Sequence, residues 1–494
     1  MFRVGILADL HLPSLDNTVI ESAFDWALDE AKRRRLDLIA GAGDMTGLGT
    51  LAAARRLRSK LDAASIPFLL TPGNAERRSP GESRQVAEIL STRTEQGPVR
   101  MIDTSHYRIS DPDRIRLRQL AGRNLLLVTH IPPDQLDTAD QALLSNPSIG
   151  LLVAGHLHLD RESGIIQLVR GLDPDKAIGG APSLTVFTRD GDEAPWTRED
   201  VVYPPGDPRQ WPEAERREWF DHLGISGMES PLQALREAAD LGVPAFELRY
   251  RPSTTQPTQE LATALSAWRA RGKHLSLHVP DLAWKAGAPH GLDELRQAME
   301  QALRIRADAI TFHVPRVPVG EFDAASDNLL QAAVEILTPL KQAGIMIGIE
   351  NLHMNRWETP DSTRGFGYTP DECRQWIDRL RAALGYPLIG LHLDIGHARN
   401  NAPYASAYPL SVWYARLGHT ITGLHLHQVH LAPDSSFENH KPLTSLFGGV
   451  ISLSSLFLAW RDHSLNHAPL YLEIRGETGI HSLQALRREL NLSP

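Results

Sequence analysis

Five short motifs in the first third of the chain combine side chains that bind hard cations: Asp9-Leu10-His11, Gly43-Asp44, Gly73-Asn74, Thr129-His130 and Gly155-His156-Leu157-His158. Two divalent ions about 3.5–4 Å apart need mixed His, Asp and Asn ligands with one shared carboxylate, and can then clamp a phosphoryl group and generate a hydroxide. Asp44 is the natural shared carboxylate. One D-x-H or G-D alone is an ordinary turn former, but five in order, each closing an apolar run, point to a metal centre. A second series runs through the latter half: His278, His313, Glu350, Asp394, His397, His425, Glu438, His440 and Glu473. So many donors meeting on one rim would be prohibitive to bury without cations, and Glu350 and Glu473 are suited to bridge ions. Cys373 is the single cysteine, so thiolate clusters and intrachain disulfides are excluded. The sulfur-free set suits Zn²⁺ or Mn²⁺.

Holding these residues requires strand ends. In the first part the apolar runs FRVGILADLH, LDLIAGAGD, IPFLLTPGN, NLLLVTHIPP and IGLLVAGHLH alternate with helical segments such as Asn17 to Arg35 and Leu48 to Ala64, an α/β layered pattern. Composition then shifts to Asp, Gly, Glu and Pro, in "RDGDEAPW" and "YPPGDPRQWP", which places a linker at 191–217 between domains 1–190 and 218–494. Beyond it come eight β-like runs, each followed by a helical segment: LGIS, AFELRY, HLSLHVP, AITFHVP, IMIGIEN, LIGLHLDIGH, ITGLHLHQV and LYLEIRG. That is the rhythm of a (β/α)8 barrel, whose active sites lie at the C-terminal strand ends, where the polar residues crowd. The segments 259–272, 292–306 and 328–344 carry the amphipathic pattern of an outer helical ring. Period two places His392 with Asp394 and His425 with His427 on shared faces, so His392 and His427 are expected to fill the interior rather than reach a rim metal.

The first set of motifs, in the order D-x-H, G-D, G-N, lone H and G-H-x-H, resembles the calcineurin-like metallophosphoesterases. The resemblance implies an α/β sandwich with a Mn or Fe/Zn pair, one ion held by Asp9, His11, Asp44 and His158 and the other by Asp44, Asn74, His130 and His156. Ala75 stands where that family carries a histidine that protonates the leaving oxygen. A general acid is worth about 10²–10⁴ in rate, so three accounts stay open: an easy leaving group, a donor from elsewhere such as His106, or a domain that binds phosphates more than it cleaves them. The second half resembles the xylose-isomerase-like barrels, and among them the endonuclease IV branch, whose nine ligands each find a candidate in the series above. That implies a Zn (or Mn) cluster of two or three ions, with Glu438 standing for the family's Asp. The family's aromatic DNA wedge is absent; Val279-Pro280-Asp281 precedes Trp284, and Trp284, Lys285, Arg249 and Arg251 are the candidates to replace it.

Length and composition fit two soluble globular domains: 494 residues, 42% hydrophobic, 22% charged and a net charge of −9, which argues against broad non-specific nucleic-acid binding. The opening MFRVGILADLH is too short for a signal h-region, and no apolar stretch approaches the roughly 20 residues of a membrane helix. A cytoplasmic protein with no membrane partner is expected; its oligomeric state is not legible. The leading expectation is a metal-dependent phosphoester hydrolase, with damaged DNA as the most specific substrate and Asp44, Glu350 and Glu473 as catalytic residues. A carbohydrate enzyme that couples sugar-phosphate hydrolysis to isomerisation in the barrel is the alternative. A third reading is a phosphate-binding regulatory first domain on one active barrel.

Overall fold

The computed structural model describes residues 1–16, 18–251, 258–432 and 437–493. It divides into two compact units, Met1–Gln210 with Ser452–Leu458 and Trp211–Ile451 with Ala459–Pro494. Among the described residues no helix is long and apolar enough to cross a membrane.

The first unit contains β1 (Phe2–Leu7), α1 (Val19–Arg33), β2 (Leu38–Ala42), α2 (Leu51–Ala64), β3 (Phe68–Thr71), β4 (Glu95–Gln96), β5 (Val99–Met101), β6 (Leu125–Thr129), β7 (Ile149–Ala154), β8 (Arg161–Ser163), β9 (Ile166–Leu168), β10 (Ser183–Arg189) and β11 (Thr197–Val202). They form a sheet of order β11-β10-β1-β2-β3 and another of order β4-β5-β6-β7-β9-β8. Strand alternation explains how they pack. Val4, Ile6, Leu38 and Ala40 face Val99, Met101, Leu126, Val128 and Val153 in a core between the sheets. Leu7 and Ile39 turn to the other side, where Ile20, Phe24 and Ala27 of α1 join Leu57 and Leu61 of α2. The i, i+4, i+7 spacing in α1 makes that contact possible, and each such fully buried large side chain contributes about 1.5–3 kcal/mol. Asn17, where the first helix was expected to begin, lies outside the described residues. Thr50 caps α2 by accepting from Ala53 N, which is why α2 starts there and not at Leu48.

The expected linker is corrected at its start. Residues 197–202 pair antiparallel with β10 as edge strand β11, and the Asp- and Gly-rich stretch before them is the turn of a hairpin. Turn formers mark both kinds of segment, so composition alone could not separate them.

The second unit contains β12 (Leu223–Gly227), β13 (Ala245–Arg249), β14 (His274–His278), β15 (Ala283–Lys285), β16 (Ala288–His290), β17 (Ala309–His313), β18 (Arg316–Pro318), β19 (Met346–Glu350), β20 (Thr363–Gly365), β21 (Ile389–Asp394), β22 (Ile421–Leu426), β23 (Gln428–Leu431), β24 (Phe437–Lys441) and β25 (Leu470–Leu472). The eight expected runs are the eight parallel strands of a closed barrel, in the order β12-β13-β14-β17-β19-β21-β22-β25. Parallel register sets Arg249 beside His278, His313 beside Glu350 and Asp394 beside His425. Four of these strands end on a candidate ligand. The pairs β15–β16, β18–β20 and β23–β24 are ribbons in the loops.

Candidate metal centres

In the first unit the chain turns sharply after each strand, and the ligand candidates occupy those turns. Asp9, His11, Asp44, His156 and His158 all have positive φ, between 46 and 73°. Left-handed backbone is unfavourable for residues with a Cβ, and such strain concentrates at functional sites. Glycines make the close approach possible: a Cβ on Gly73 would lie 2.1 Å from Asp44 Oδ1, and one on Gly43 2.6 Å from the His130 ring.

Two groups of donors result. His11 Nε2 lies 3.3 Å from His158 Nε2 and 3.6 Å from Asp44 Oδ2. His130 Nε2 lies 3.0 Å from Asn74 Oδ1, 3.3 Å from Asp44 Oδ1 and 3.3 Å from His156 Nδ1. The two oxygens of Asp44 thus face different groups. Asp9 completes the first and accepts His156 N–H at 2.8 Å. The Ala42 carbonyl lies 3.0 Å from His130 Nδ1 and can only accept, so that nitrogen carries a proton, and Nε2 is the one that can give its lone pair to a cation once the ring is neutral. Burial works against protonation of His130, but the hydrogen bond and charge of Asp44 outweigh it and push the ring up to about 9. Burial likewise pushes Asp9 up to about 8, assisted by the charge of Asp44 and opposed by His130.

Ala75 is fully buried and donates its N–H to Asp44 Oδ1 at 2.7 Å. His106, considered as a replacement donor, is exposed. Its neighbour Tyr107 is the one that reaches the centre, with its hydroxyl 3.4 Å from His156 Nε2. Glu76 carries no ligand signature in the sequence. Its buried carboxylate accepts from Asp44 N, Thr46 N, Thr46 Oγ1 and Gly73 N at 2.7–3.1 Å, tying two ligand-bearing turns together.

In the barrel, Glu350 is the hub. Its Oε2 lies 3.1 Å from both His278 Nε2 and His313 Nε2, and its Oε1 lies 3.3 Å from His425 Nδ1 and 3.4 Å from His397 Nδ1. His425 Nδ1 also faces Glu473 Oε2 at 3.4 Å and Asp394 Oδ2 at 3.8 Å. His440 Nδ1 is 3.1 Å from Glu473 Oε2. Several of these short approaches are not hydrogen bonds: His278 Nε2, Glu350 Oε2, His440 Nδ1 and Glu473 Oε2 are buried without a hydrogen-bond partner. Orphaned buried polar atoms are costly, and N and O lone pairs aimed at common points are what divalent cations satisfy. The residues present therefore fit metal ions.

Further contacts set the rings. The Val279 carbonyl lies 3.2 Å from His278 Nδ1, and the Asn351 carbonyl lies 3.0 Å from His397 Nδ1, the same nitrogen that approaches Glu350, and holds that ring by accepting from it. Asp281 Oδ1 holds His313 Nδ1 at 2.5 Å. Burial opposes protonation of His313, but Glu350 and Asp281 outweigh it and push the ring up to about 10. Asp281, expected to repel phosphates, is thus paired with His313. It also lines a cavity of 1110 Å³ with Trp284, Lys285, His290, Arg316 and Leu352, so the cavity adjoins the centre.

The structure corrects the ligand set at one position. Glu438 is exposed and pairs with Lys441 at 2.7 Å, whereas His440, two residues on, is buried at the centre: its positive φ of 58° and the irregular register of the β23–β24 ribbon break the alternation that would have put both on one face. His427 also stands close, with Nε2 3.1 Å from Asp394 Oδ1, but its Nδ1 accepts the His440 N–H at 2.9 Å, so this ring orients Asp394. Three of the four candidate DNA contacts are otherwise engaged: Trp284 is buried with Nε1 donating to Glu321 Oε2 at 2.6 Å, Arg249 is bound to Glu473 Oε1 at 2.7 Å, and Arg251 donates to the Met228 carbonyl, while Lys285 is exposed at the cavity.

A family model described as xylose isomerase-like TIM barrel matches residues 235–492, just over half the chain. The chain belongs to the xylose isomerase-like TIM barrel family. Solved structures similar to this barrel include a D-tagatose 3-epimerase-like protein, at 16% identity over 55% of this chain and 97% of that one with a TM-score of 0.40. Others are the 3-keto-D-glucoside 4-epimerase of E. coli (16%, 55% and 98%, TM-score 0.36) and a D-psicose 3-epimerase crystallised in the presence of D-fructose (13%, 55% and 96%, TM-score 0.36). No curated protein matches. Membership in the xylose isomerase-like family makes this an α/β chain with an enzyme-type barrel and leaves the reaction to be argued from the site.

Proposed function

We propose that the barrel is a divalent-metal-dependent enzyme acting on a sugar or a similar polyhydroxylated substrate, moving a proton between neighbouring carbons or between the two faces of one carbon. The observation that carries this reading is the quartet Glu350, Asp394, His425 and Glu473, in which three carboxylates surround one imidazole nitrogen at 3.3–3.8 Å. Glu350, Asp394, His425 and Glu473 would hold the cation, which when bound would supply polarisation of the substrate's carbonyl and hydroxyl oxygens and so acidify the adjacent C–H. Glu350 and Glu473 come from β19 and β25, three places apart around the ring, so they approach a substrate from different directions. One takes the proton from carbon and the other returns one. Arg249 holds Glu473 Oε1, which leaves Oε2 toward the site. The decisive test is deuterium uptake from D₂O at the carbon next to the carbonyl, followed by NMR over a panel of ketoses and ketose phosphates with Mn²⁺- or Zn²⁺-loaded protein. Metal-dependent exchange that Glu350→Gln abolishes supports the reading, and no exchange in any member sinks it.

A second reading, phosphoester hydrolysis, is favoured by a different observation. Glu350 spreads its two oxygens among four imidazoles, more donors than a single-ion quartet uses. In the first unit Asp44 faces two donor groups at once, which supports a metal pair and a phosphoesterase activity there. Incision of a duplex with one abasic site, or phosphate release from sugar phosphates, by wild type but not by Glu350→Gln or Asp44→Asn would favour hydrolysis and assign it to a unit.

A further inference from the structure

Glu247 lies in the middle of β13, two residues below Arg249 on the same face, and is completely buried. Its Oε1 accepts from Ser226 Oγ at 2.9 Å and stands 2.8 Å from His425 Nε2, and its Oε2 accepts from Thr311 Oγ1 at 2.6 Å. A buried carboxylate is tolerable only with such partners. Its contact with His425 is on the side away from Glu350, Glu473 and Asp394, which all face the other ring nitrogen.

A neutral imidazole has one N–H and one lone pair. A proton on Nδ1 would leave the Nε2 lone pair against a carboxylate lone pair at 2.8 Å, a repulsive contact. With the proton on Nε2, that contact becomes a charge-assisted hydrogen bond and Nδ1 presents its lone pair to the three carboxylates. We propose that Glu247 is a positioning residue of the barrel's metal centre, held by Ser226 and Thr311, which fixes the His425 tautomer and ring so that Nδ1 serves as the ligand. Such outer partners are worth about 10–100-fold in metal affinity. The inference rests on the barrel being a metal centre. Glu247 is not itself a ligand, because an ion there would have to displace the two hydroxyl donors.

The test is Zn²⁺ affinity of chelator-stripped full-length protein, by competition with a chromophoric chelator, with circular dichroism and melting of each metal-free variant alongside. Glu247→Gln should weaken the barrel's binding by about 10–100-fold with the metal-free fold intact. Thr311→Val should weaken it several-fold by freeing the carboxylate, and Glu247→Gln added to His425→Ala should cost nothing further. Unchanged affinity in Glu247→Gln overturns the proposal, as does a loss that adds fully to that of His425→Ala. A gain in Thr311→Val overturns it too, since it would make Glu247 a direct ligand. If Glu247→Gln does not fold, unchanged affinity in Thr311→Val is overturning. If His425→Ala leaves metal binding untouched, the metal-centre reading falls along with the proposal; if it weakens binding while Glu247→Gln does not, only the proposal falls.

Discussion

Imidazoles of both centres are oriented by what touches their outer nitrogens: backbone carbonyls for His130 and His278, carboxylates for His313 and His425. One consequence concerns protons. In the metal-free protein His130 and His313, pushed up to about 9 and 10, are cationic at neutral pH and must lose a proton before coordinating. Metal loading at pH 7.5 in weak buffer should therefore release protons, and binding should weaken as pH falls; calorimetry in buffers of different ionisation enthalpy would read the number, and zero release would contradict it. A second consequence concerns space. Gly43→Ala puts a methyl 2.6 Å from His130 at a φ of +80°, so it should displace that ring and lower the first centre's metal content while the barrel's stays the same, as measured by elemental analysis of the variant. Ligand types at strand ends were legible because each closes an apolar run. Glu247 and Glu76 were not, since one lies inside a strand and the other past a ligand motif, and their roles depend on partners distant in sequence. A weak signal existed for Glu247: an acidic residue at an inward-facing position of an apolar strand needs a buried partner.

Elements carry those residues with little slack. Glu76 ties the turn after β2 to the turn after β3 through four accepted hydrogen bonds. Glu76→Ala strands several buried donors, so it should cost about 3 kcal/mol or more and lower metal content in the first unit, visible as a drop in the melting temperature. Helix Pro370–Leu384 opens with a capping box, Thr369 accepting from Glu372 N and Glu372 reaching back to Thr369 N. Thr369→Ala should cost about 1 kcal/mol, read by chemical denaturation, and leave the rim chemistry unchanged. The barrel strands were readable nearly residue for residue, because a parallel strand buried on both faces is a short run dominated by apolar residues, here interrupted by single polar ones such as Glu247 and His392. Helix limits were less so. The helix expected over 328–344 runs over Phe322–Ala343, its first two turns offering only Phe322 and Ala325 to the packed face among polar and small residues. Glu438 misled for a related reason: a D-x-H-like spacing does not reveal which way a loop ribbon faces.

At the scale of the whole chain, the two donor clusters belong to two compact units, and their occupancies are expected to be independent. Asp44→Asn should remove the first unit's metal and Glu350→Gln the barrel's, each leaving the other share intact by elemental analysis. A cation bound only to the folded form stabilises it in proportion to the logarithm of its concentration over Kd, so chelation should lower the thermal transition of each unit that had held metal. The barrel closes β12 onto β25 and offers no free strand edge. The first unit's sheets end in four: β3, β4, β8 and β11, of which three have only two to four residues. The longest, β11, exposes Glu199 and Asp200. Charge on an edge prevents other chains from adding to it as extra strands. Glu199 and Asp200 pair with Arg34 and Arg198, so resistance to fibrous self-association during stress is expected to rest on that charged set, and solubility on heating should fall first when the whole set is replaced by neutral residues.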